Sequence, residues 1–331
     1  MSAAPALPIA QPIALSCGEP SGIGPELAEA CWSELGATLP FFWIGDPRHL
    51  PGTVPHVLIE RPAEALEAAT RGLPVLRQEM PGPRVPGVPQ AAQAAGVVAA
   101  IERGVQLCLS GEAAALCTLP ISKQALAEGC GFAFPGHTEF LAHLGGVPEV
   151  VMMLACPELK VVPATIHIAL EDVPQALTEE LLEARLRITH EAMSSFGIAR
   201  PRVAVAGLNP HAGEGGRMGR QEIEMIAPLL ERLRTEGMDL MGPLPADTMF
   251  HAAARARYDV AVCMYHDQAL IPVKTLGFDE GVNVTLGLPF VRTSPDHGTA
   301  FGIAGKGIAN PSSTLAALRM AAELSAGAAR G

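Results

Sequence analysis

Short apolar runs alternate with longer amphipathic segments along nearly all of the 331-residue chain. Apolar runs of about four to eight residues, bounded by turn residues, indicate buried strands. Their alternation with helical segments predicts an α/β fold with a largely parallel sheet. The predicted strands are Ile13–Cys17, Phe41–Ile44, Ala113–Thr118, Val150–Ala155, Lys160–Ile166, Arg202–Gly207, Asp259–Met264 and Val282–Leu286.

The segments between these strands predict helices. Thr178 is expected to cap one of them, since Thr accepts hydrogen bonds from first-turn amides and two Glu follow it. Gly72–Gln90 is rich in Pro and Gly, so we expect an irregular connection there. The predicted helices are Pro25–Leu35, Ala91–Leu109, Thr178–Phe196, Arg220–Thr235 and Ser312–Leu324.

Charge and cysteine content narrow the classes of function. The net charge is -11 and there is no basic stripe, which predicts no nucleic-acid partner. No apolar run is long enough to cross a bilayer, so we expect no membrane association. The seven cysteines form no C-x-x-C pair and are expected to be reduced thiols of a cytoplasmic protein.

Three predicted strands lead into a histidine: His167, His211 and His266. Side chains at the carboxyl ends of strands in an α/β sheet converge on a ligand crevice. Three imidazoles there can bind a divalent metal and leave positions open for substrate. Each histidine alone fits a hydrogen-bonded core residue better than a ligand, and only the repeated placement after a strand makes a metal site as good an interpretation. Ligand type does not separate Zn²⁺ from Co²⁺, Ni²⁺ or Mn²⁺.

Other polar residues occur in similar settings. The loop after His211 holds several glycines, which suit close backbone approach to a ligand, although a flexible surface loop would look the same. Lys and Arg side chains can bind phosphate or carboxylate. The alternative is that they are solvated surface cations, which is usual for these residues. A Gly-His-Thr turn opens a predicted helix, where Thr138 could also be a plain N-cap. The candidates are His137, Thr138, Lys274, Asn283 and Arg292, with Asp247 and Asp267 as second-layer or acid–base groups.

These motifs together closely resemble the 4-hydroxythreonine-4-phosphate dehydrogenase family of pyridoxal phosphate biosynthesis. The matching blocks are GEPSGIGPE (Gly18–Glu26), PGHTEF (Pro135–Phe140), GLNPHAGEGG (Gly207–Gly216), GPLPADTMF (Gly242–Phe250), MYHDQ (Met264–Gln268) and GVNVTLGLPFVRTSPDHGTA (Gly281–Ala300). The resemblance implies two α/β/α domains with a central cleft, similar to isocitrate and isopropylmalate dehydrogenases. It places residues 1–130 and 290–331 in a cofactor-side domain, and 131–289 in a metal, substrate and dimer domain.

The resemblance also implies a site. It assigns the metal to His167, His211 and His266, with His266 from the second subunit of a homodimer and one Zn, Mg or Co ion per site. Substrate contacts fall on His137, Thr138, Lys274, Asn283 and Arg292, and candidate acid–base groups are His137, Lys274, Asp247 and Asp267. The loop resembling an isopropylmalate dehydrogenase adenine loop assigns NAD or NADP to His297, Gly298, Thr299 and Asn310.

The implied reaction is NAD(P)-dependent oxidation of a phosphorylated amino acid, 4-phosphooxy-L-threonine, with decarboxylation to 3-amino-2-oxopropyl phosphate. A relative in the same family could instead oxidise a cis-dihydrodiol acid or a phosphorylated sugar acid. A three-histidine metal hydrolase without nicotinamide is the alternative from another class, and the His297–Pro311 loop argues against it.

Overall fold

A computed structural model describes residues 9–328 of the chain. It has the predicted mixture of sheet and covering helices, which confirms the α/β class. Among the described residues, no helix combines the length and apolar character needed to cross a membrane.

Every predicted strand is present, with ends shifted by a few residues. The strands are β1 (Ile13–Ser16), β2 (Phe41–Gly45), β3 (His56–Ile59), β4 (Leu73–Arg77), β5 (Ala115–Thr118), β6 (Val151–Cys156), β7 (Leu159–Pro163), β8 (Arg202–Ala206), β9 (Asp239–Leu244), β10 (Val260–Cys263), β11 (Val282–Leu286) and β12 (Val291–Pro295).

The helices follow the predicted segments and add several between them. They are α1 (Gly24–Leu35), α2 (Ala65–Ala68), α3 (Ala94–Leu109), α4 (Lys123–Cys130), α5 (His137–Gly145), α6 (Val173–Ala176), α7 (Glu179–Ala192), α8 (Ala227–Thr235), α9 (Ala252–Arg255), α10 (His266–Gly277) and α11 (Ser312–Ala328). Thr178 caps α7 as expected, since its Oγ1 accepts from the Leu181 amide at 3.2 Å.

The described chain divides into two compact units: unit 1 holds residues 9–150 and 288–328, and unit 2 holds 151–287. The first division falls later than the sequence-based boundary after residue 130. The reason is that α5 packs against α3 within unit 1. The rings of Phe132 and Phe140 pack edge to face at 5.1 Å between centroids, and both border a pocket that Ala95 and Val98 of α3 also line.

Unit 1 contains a parallel sheet in the order β3-β4-β2-β1-β5-β12. Its centre is buried on both faces, with Ile13–Ser16 of β1 fully inaccessible. Strand β4 lies inside Gly72–Gln90, so the irregular connection predicted there is wrong at Leu73–Arg77. Pro74 interrupts the apolar pattern, but Leu73 and Val75 are wholly buried against neighbouring strands.

Unit 2 contains strands in the order β11-β6-β7-β10-β8-β9. From β7 onward they run parallel, whereas β6 pairs antiparallel with both β7 and β11. The expectation of a largely parallel sheet therefore fails at this edge. Only Pro157 and Glu158 join β6 to β7, and a connection this short can form only an antiparallel hairpin.

Candidate functional site

Three neighbouring parallel strands of unit 2 lead into the three candidate metal ligands. Strand β10 lies between β7 and β8, with Val262 paired to Val162 on one side and to Val205 on the other. Since parallel strands end at the same edge of a sheet, the turns that carry His167, His266 and His211 begin side by side.

His167 and His266 are the two candidate ligands that this chain brings together. Their ring centroids are 5.7 Å apart, and both line a pocket of about 260 Å³. Backbone pairing continues past the strand ends to hold them there. The Thr165 amide and its Oγ1 both donate to the Met264 carbonyl oxygen, at 3.2 and 2.8 Å.

His266 is the first residue of α10 and contacts its neighbour Asp267. The distance from His266 Nδ1 to Asp267 Oδ1 is 2.7 Å. A carboxylate on one ring nitrogen orients the imidazole and leaves the other nitrogen for a metal. Asp267 therefore lies where the orienting role proposed from the sequence requires it.

His211 sits in a turn whose backbone is left-handed. Five successive residues, 211–215, have φ between 42° and 77°. A non-glycine residue in this region costs on the order of 1–3 kcal/mol, so the surroundings must impose it. Buried Glu222 supplies that constraint, since it accepts from the Asn209 amide at 2.8 Å and from Asn209 Nδ2 at 3.0 Å. His167 is also left-handed, with φ 54°.

His211 does not line the pocket shared by His167 and His266. Within residues 9–328, no three His, Cys, Asp or Glu side chains of one chain come together as a metal site. Asp247 is exposed in a short turn, Ala246–Thr248, that packs against the turn carrying His211.

Two further candidates lie on the antiparallel side of unit 2. Lys274 is half-buried in α10, which packs on β6, β7 and β10. Asn283 lies on β11 opposite Leu154, and its Oδ1 is buried without a hydrogen-bond partner among the described residues.

Unit 1 contains the other substrate candidates, His137, Thr138 and Arg292. Arg292 on β12 is 3% exposed, and its Nη2 donates to Thr118 Oγ1 at 2.6 Å. Burial lowers the pKa of Arg292 to about 10. His137 opens α5, and its pKa lies well below 6.5 because of burial first, and then because of the positive charges of Arg292 and Lys123. His137 is therefore neutral near pH 7.

The structure corrects the sequence-based interpretation of Thr138 and adds Lys123 to the residues near His137. Gly136 is the N-cap of α5, so Thr138 lies inside the first turn and is not the cap. Sequence reasoning missed Lys123, whose charge lowers the pKa of His137. Its signal was available, because Lys123 begins α4 a few residues after β5 ends, the position that favours ligand contacts.

The candidate cofactor residues lie on a segment of unit 1 that packs against the glycine-rich turn of residues 18–25. The Ile23 amide donates to the Thr299 carbonyl at 3.1 Å. Glu26 accepts from the Gly307 amide at 3.1 Å and pairs with buried Arg84 at 2.8 Å. Sequence analysis gave Glu26 no role of its own, because its contacts with Gly305 and Gly307 are made only in the tertiary fold.

The remaining cofactor candidates have local contacts in this segment. His297 Nδ1 lies 3.1 Å from the Gly298 carbonyl oxygen. Asn310 Oδ1 accepts from the Ser312 amide at the start of α11. Gly305 and Gly307 in the same segment have left-handed backbone, with φ of 79° and 65°.

Fold and site thus define an α/β protein with histidines at parallel strand ends in one unit and a buried arginine in the other. The family of pyridoxal phosphate biosynthetic protein PdxA matches residues 40–321. A 4-hydroxythreonine-4-phosphate dehydrogenase from Ruegeria sp. (strain TM1040) is 61% identical over 312 residues, which cover 94% of this chain and 96% of the relative. The chain belongs to the PdxA family.

Solved structures agree with this membership. A 4-hydroxythreonine-4-phosphate dehydrogenase from Klebsiella pneumoniae is 36% identical, with a TM-score of 0.86 over 96% of this chain and 100% of its own. A terephthalate 1,2-cis-dihydrodiol dehydrogenase from Burkholderia xenovorans LB400 is 29% identical, with a TM-score of 0.67 over 95% of this chain and 98% of its own.

Proposed function

We propose that the protein oxidises 4-phosphooxy-L-threonine with NAD or NADP and a divalent metal. The product, 2-amino-3-oxo-4-phosphooxybutanoate, then loses CO₂ to give 3-amino-2-oxopropyl phosphate. The observation that carries this proposal is the pair of strand-end histidines, one backed by Asp267, in a chain whose relatives are named for this activity. We place the enzyme in the cytoplasm, where its cysteines remain reduced.

The donor set fits a divalent metal. Imidazole nitrogens suit Zn²⁺ and Co²⁺, whereas Mg²⁺ prefers oxygen ligands that substrate or water would supply. His167 and His266 are close enough for one ion, and the left-handed backbone at His167 and His211 is the kind of strain found at functional sites. We propose that His167, His211 and His266 bind one metal ion per site.

We propose that a second copy of the chain completes this site, in a homodimer. The apolar surface near the histidines supports this. Ile168 and Leu170 line the His167 pocket and are 43% and 68% exposed. Large apolar side chains exposed beside an incomplete site are typical of an interface.

The division of ligands between the two copies has two solutions. The family resemblance implies that His266 comes from the second copy. The proximity of His167 and His266 within this chain favours His211 as the residue from the second copy. Either arrangement gives each copy a share in two sites.

When bound, the metal supplies Lewis-acid polarisation of the substrate C3 oxygen, and NAD or NADP accepts the hydride from C3. The candidate acceptors for the hydroxyl proton are His137, Lys274, Asp247 and Asp267. His137 fits the role of acceptor because its lowered pKa keeps it neutral near pH 7. Loss of CO₂ from the 3-oxo acid leaves an enolate, which takes up a proton to form the product ketone.

We assign the phosphate to Arg292, Lys274 and Asn283, with His137 and Thr138 as further substrate contacts. Arg292 supports this assignment because its buried guanidinium offers charge-assisted bonds in a low dielectric. Lys123 adds positive charge near His137. Local cations of this kind offset the repulsion of an anionic substrate by a chain of net charge -11.

We assign the cofactor to His297, Gly298, Thr299 and Asn310. The support is the loop that Glu26 and Arg84 hold in place, together with the left-handed glycines in it. Glycines without a Cβ allow the backbone to approach a ligand closely.

A cis-dihydrodiol acid is the second candidate substrate, because the Burkholderia xenovorans relative is named for that activity. The test measures NAD(P)⁺ reduction with 4-phosphooxy-L-threonine and with a cis-dihydrodiol acid, each with and without chelator. We expect chelator-sensitive reduction with the phosphorylated substrate. Reduction with the dihydrodiol alone would establish the second candidate, and chelator-insensitive reduction would contradict the metal assignment.

Hybrid dimers test how the ligands are shared. Chains with His167→Ala and chains with His266→Ala are each expected to be inactive alone. If His266 comes from the second copy, mixing them restores about a quarter of the activity, because half the dimers are hybrids with one intact site. If His211 comes from the second copy, recovery appears instead when His167→Ala is mixed with His211→Ala. No recovery from either mixture would contradict a shared site.

A further inference from the structure

The amide of Gln268 joins the ends of two strands whose turns carry candidate metal ligands. Its Oε1 accepts from the Met264 amide at 2.7 Å, and its Nε2 donates to the Gly207 carbonyl at 2.8 Å. Met264 lies two residues before His266, and Gly207 lies four residues before His211.

The two Gln268 hydrogen bonds lie just beyond the last direct backbone pairing of β10 with β8. Strands β10 and β8 pair Val262 with Val205. Extending that register by two residues would place Met264 opposite Gly207, in the position of the next ladder bond. The Gln268 amide lies between these two backbone groups, so it bonds to both and holds the strands apart at a fixed separation.

The third strand is tied to the same peptide. The Met264 carbonyl accepts from Thr165 Oγ1 at 2.8 Å, while the Met264 amide donates to Gln268. Thr165 lies two residues before His167, and both Thr165 and Met264 are buried. One chain of hydrogen bonds therefore runs from the β7 turn through Met264 and Gln268 to the β8 turn.

We propose that Gln268 is a positioning residue that fixes the turn carrying His266 on its β8 side, and that Thr165 fixes the same turn on its β7 side. The inference rests on the proposed metal-dependent function. Metal ligands act only within narrow tolerances of distance and angle, which supporting hydrogen bonds maintain. A primary amide of this length carries both the oxygen that accepts from Met264 and the N–H that donates to Gly207.

The test is Gln268→Glu, which keeps the side-chain shape but removes the donor to Gly207. Binding is measured with Co²⁺ alone, by titration and by its visible absorption, in the full chain. We expect affinity to fall about 10-fold or more, as for other outer groups around a metal site, with an altered Co²⁺ spectrum. Gln106→Glu, the same exchange at an exposed position of α3, is the control and should leave both unchanged.

Variants of Thr165 provide a second test, which remains informative even if Gln268→Glu folds poorly. Thr165→Val should weaken Co²⁺ binding, whereas Thr165→Ser should restore it because the hydroxyl donor is kept. Co²⁺ affinity within twofold of the unmodified protein in both Gln268→Glu and Thr165→Val would overturn the positioning role and leave the proposed metal site standing. Absence of Co²⁺ binding by the unmodified protein would overturn the proposed metal site as well.

Discussion

The strand ends of the two units present their polar groups in opposite ways. In unit 2, His167 and His211 are exposed on turns with left-handed backbone. In unit 1, Arg292 is buried and bonded to Thr118, and His137 is desolvated beside it. Buried polar partners thus fix the backbone in unit 2 and leave the imidazoles of His167 and His211 accessible, whereas in unit 1 the charge of Arg292 is itself buried.

The ligand sites proposed for the two units therefore depend on different interactions. An exposed imidazole gains most of its binding free energy from a metal–nitrogen bond, so its geometry matters more than its surroundings. A buried guanidinium acts through charge, which is stronger where water is excluded. Substitutions in the two units should therefore change different measured quantities.

The largest expected effect comes from His211→Ala. The variant should lose the metal and, with it, all detectable activity, because a three-histidine site with one ligand missing binds far more weakly. Thermal stability without metal should change little, since His211 is exposed. Metal analysis and activity assays test this, with His190→Ala on α7 as the control. A full metal complement in His211→Ala would contradict the assignment.

Arg292→Ala should show the converse pattern in unit 1. Loss of charge-assisted bonds worth about 1.5–3 kcal/mol predicts a KM for the phosphorylated substrate raised roughly 10- to 100-fold, with metal content unchanged. Arg292→Lys keeps the charge but lacks the planar fork, and should fall in between. Steady-state kinetics with metal analysis measure both, and an unchanged KM in Arg292→Ala would refute the phosphate role.

The smallest effect concerns pH and His137. Its folded-state pKa is lowered, so between that value and 6.5 the unfolded chain binds a proton that the folded protein does not. Stability is therefore lost as pH falls below about 6.5. In His137→Gln this part of the loss should disappear, so its thermal midpoint should fall less between about pH 7.5 and 5.5 than that of the unmodified protein. Equal losses in both would contradict the burial argument.

The sequence predicted most of the secondary structure because strong local patterns coincide with it. The apolar runs from Ile13 to Leu286 locate strands, and Thr178 marks a helix start. Prediction from the sequence failed where the local pattern was weak, and where the length of a connection set the direction of a strand. Strand β4 contains a proline that hides it, and β6 runs antiparallel because a two-residue turn joins it to β7.

The motifs by themselves identified the candidate metal ligands, since His167, His211 and His266 each follow an apolar strand. Only the tertiary structure decided how those turns are held. Gln268 and Glu222 act through partners that are distant in the chain or set by strand register, such as Gly207, and no local pattern encodes such contacts. Composition and periodicity specify elements, because they depend on neighbours in sequence, whereas the placement of a site depends on which strand ends the fold brings side by side.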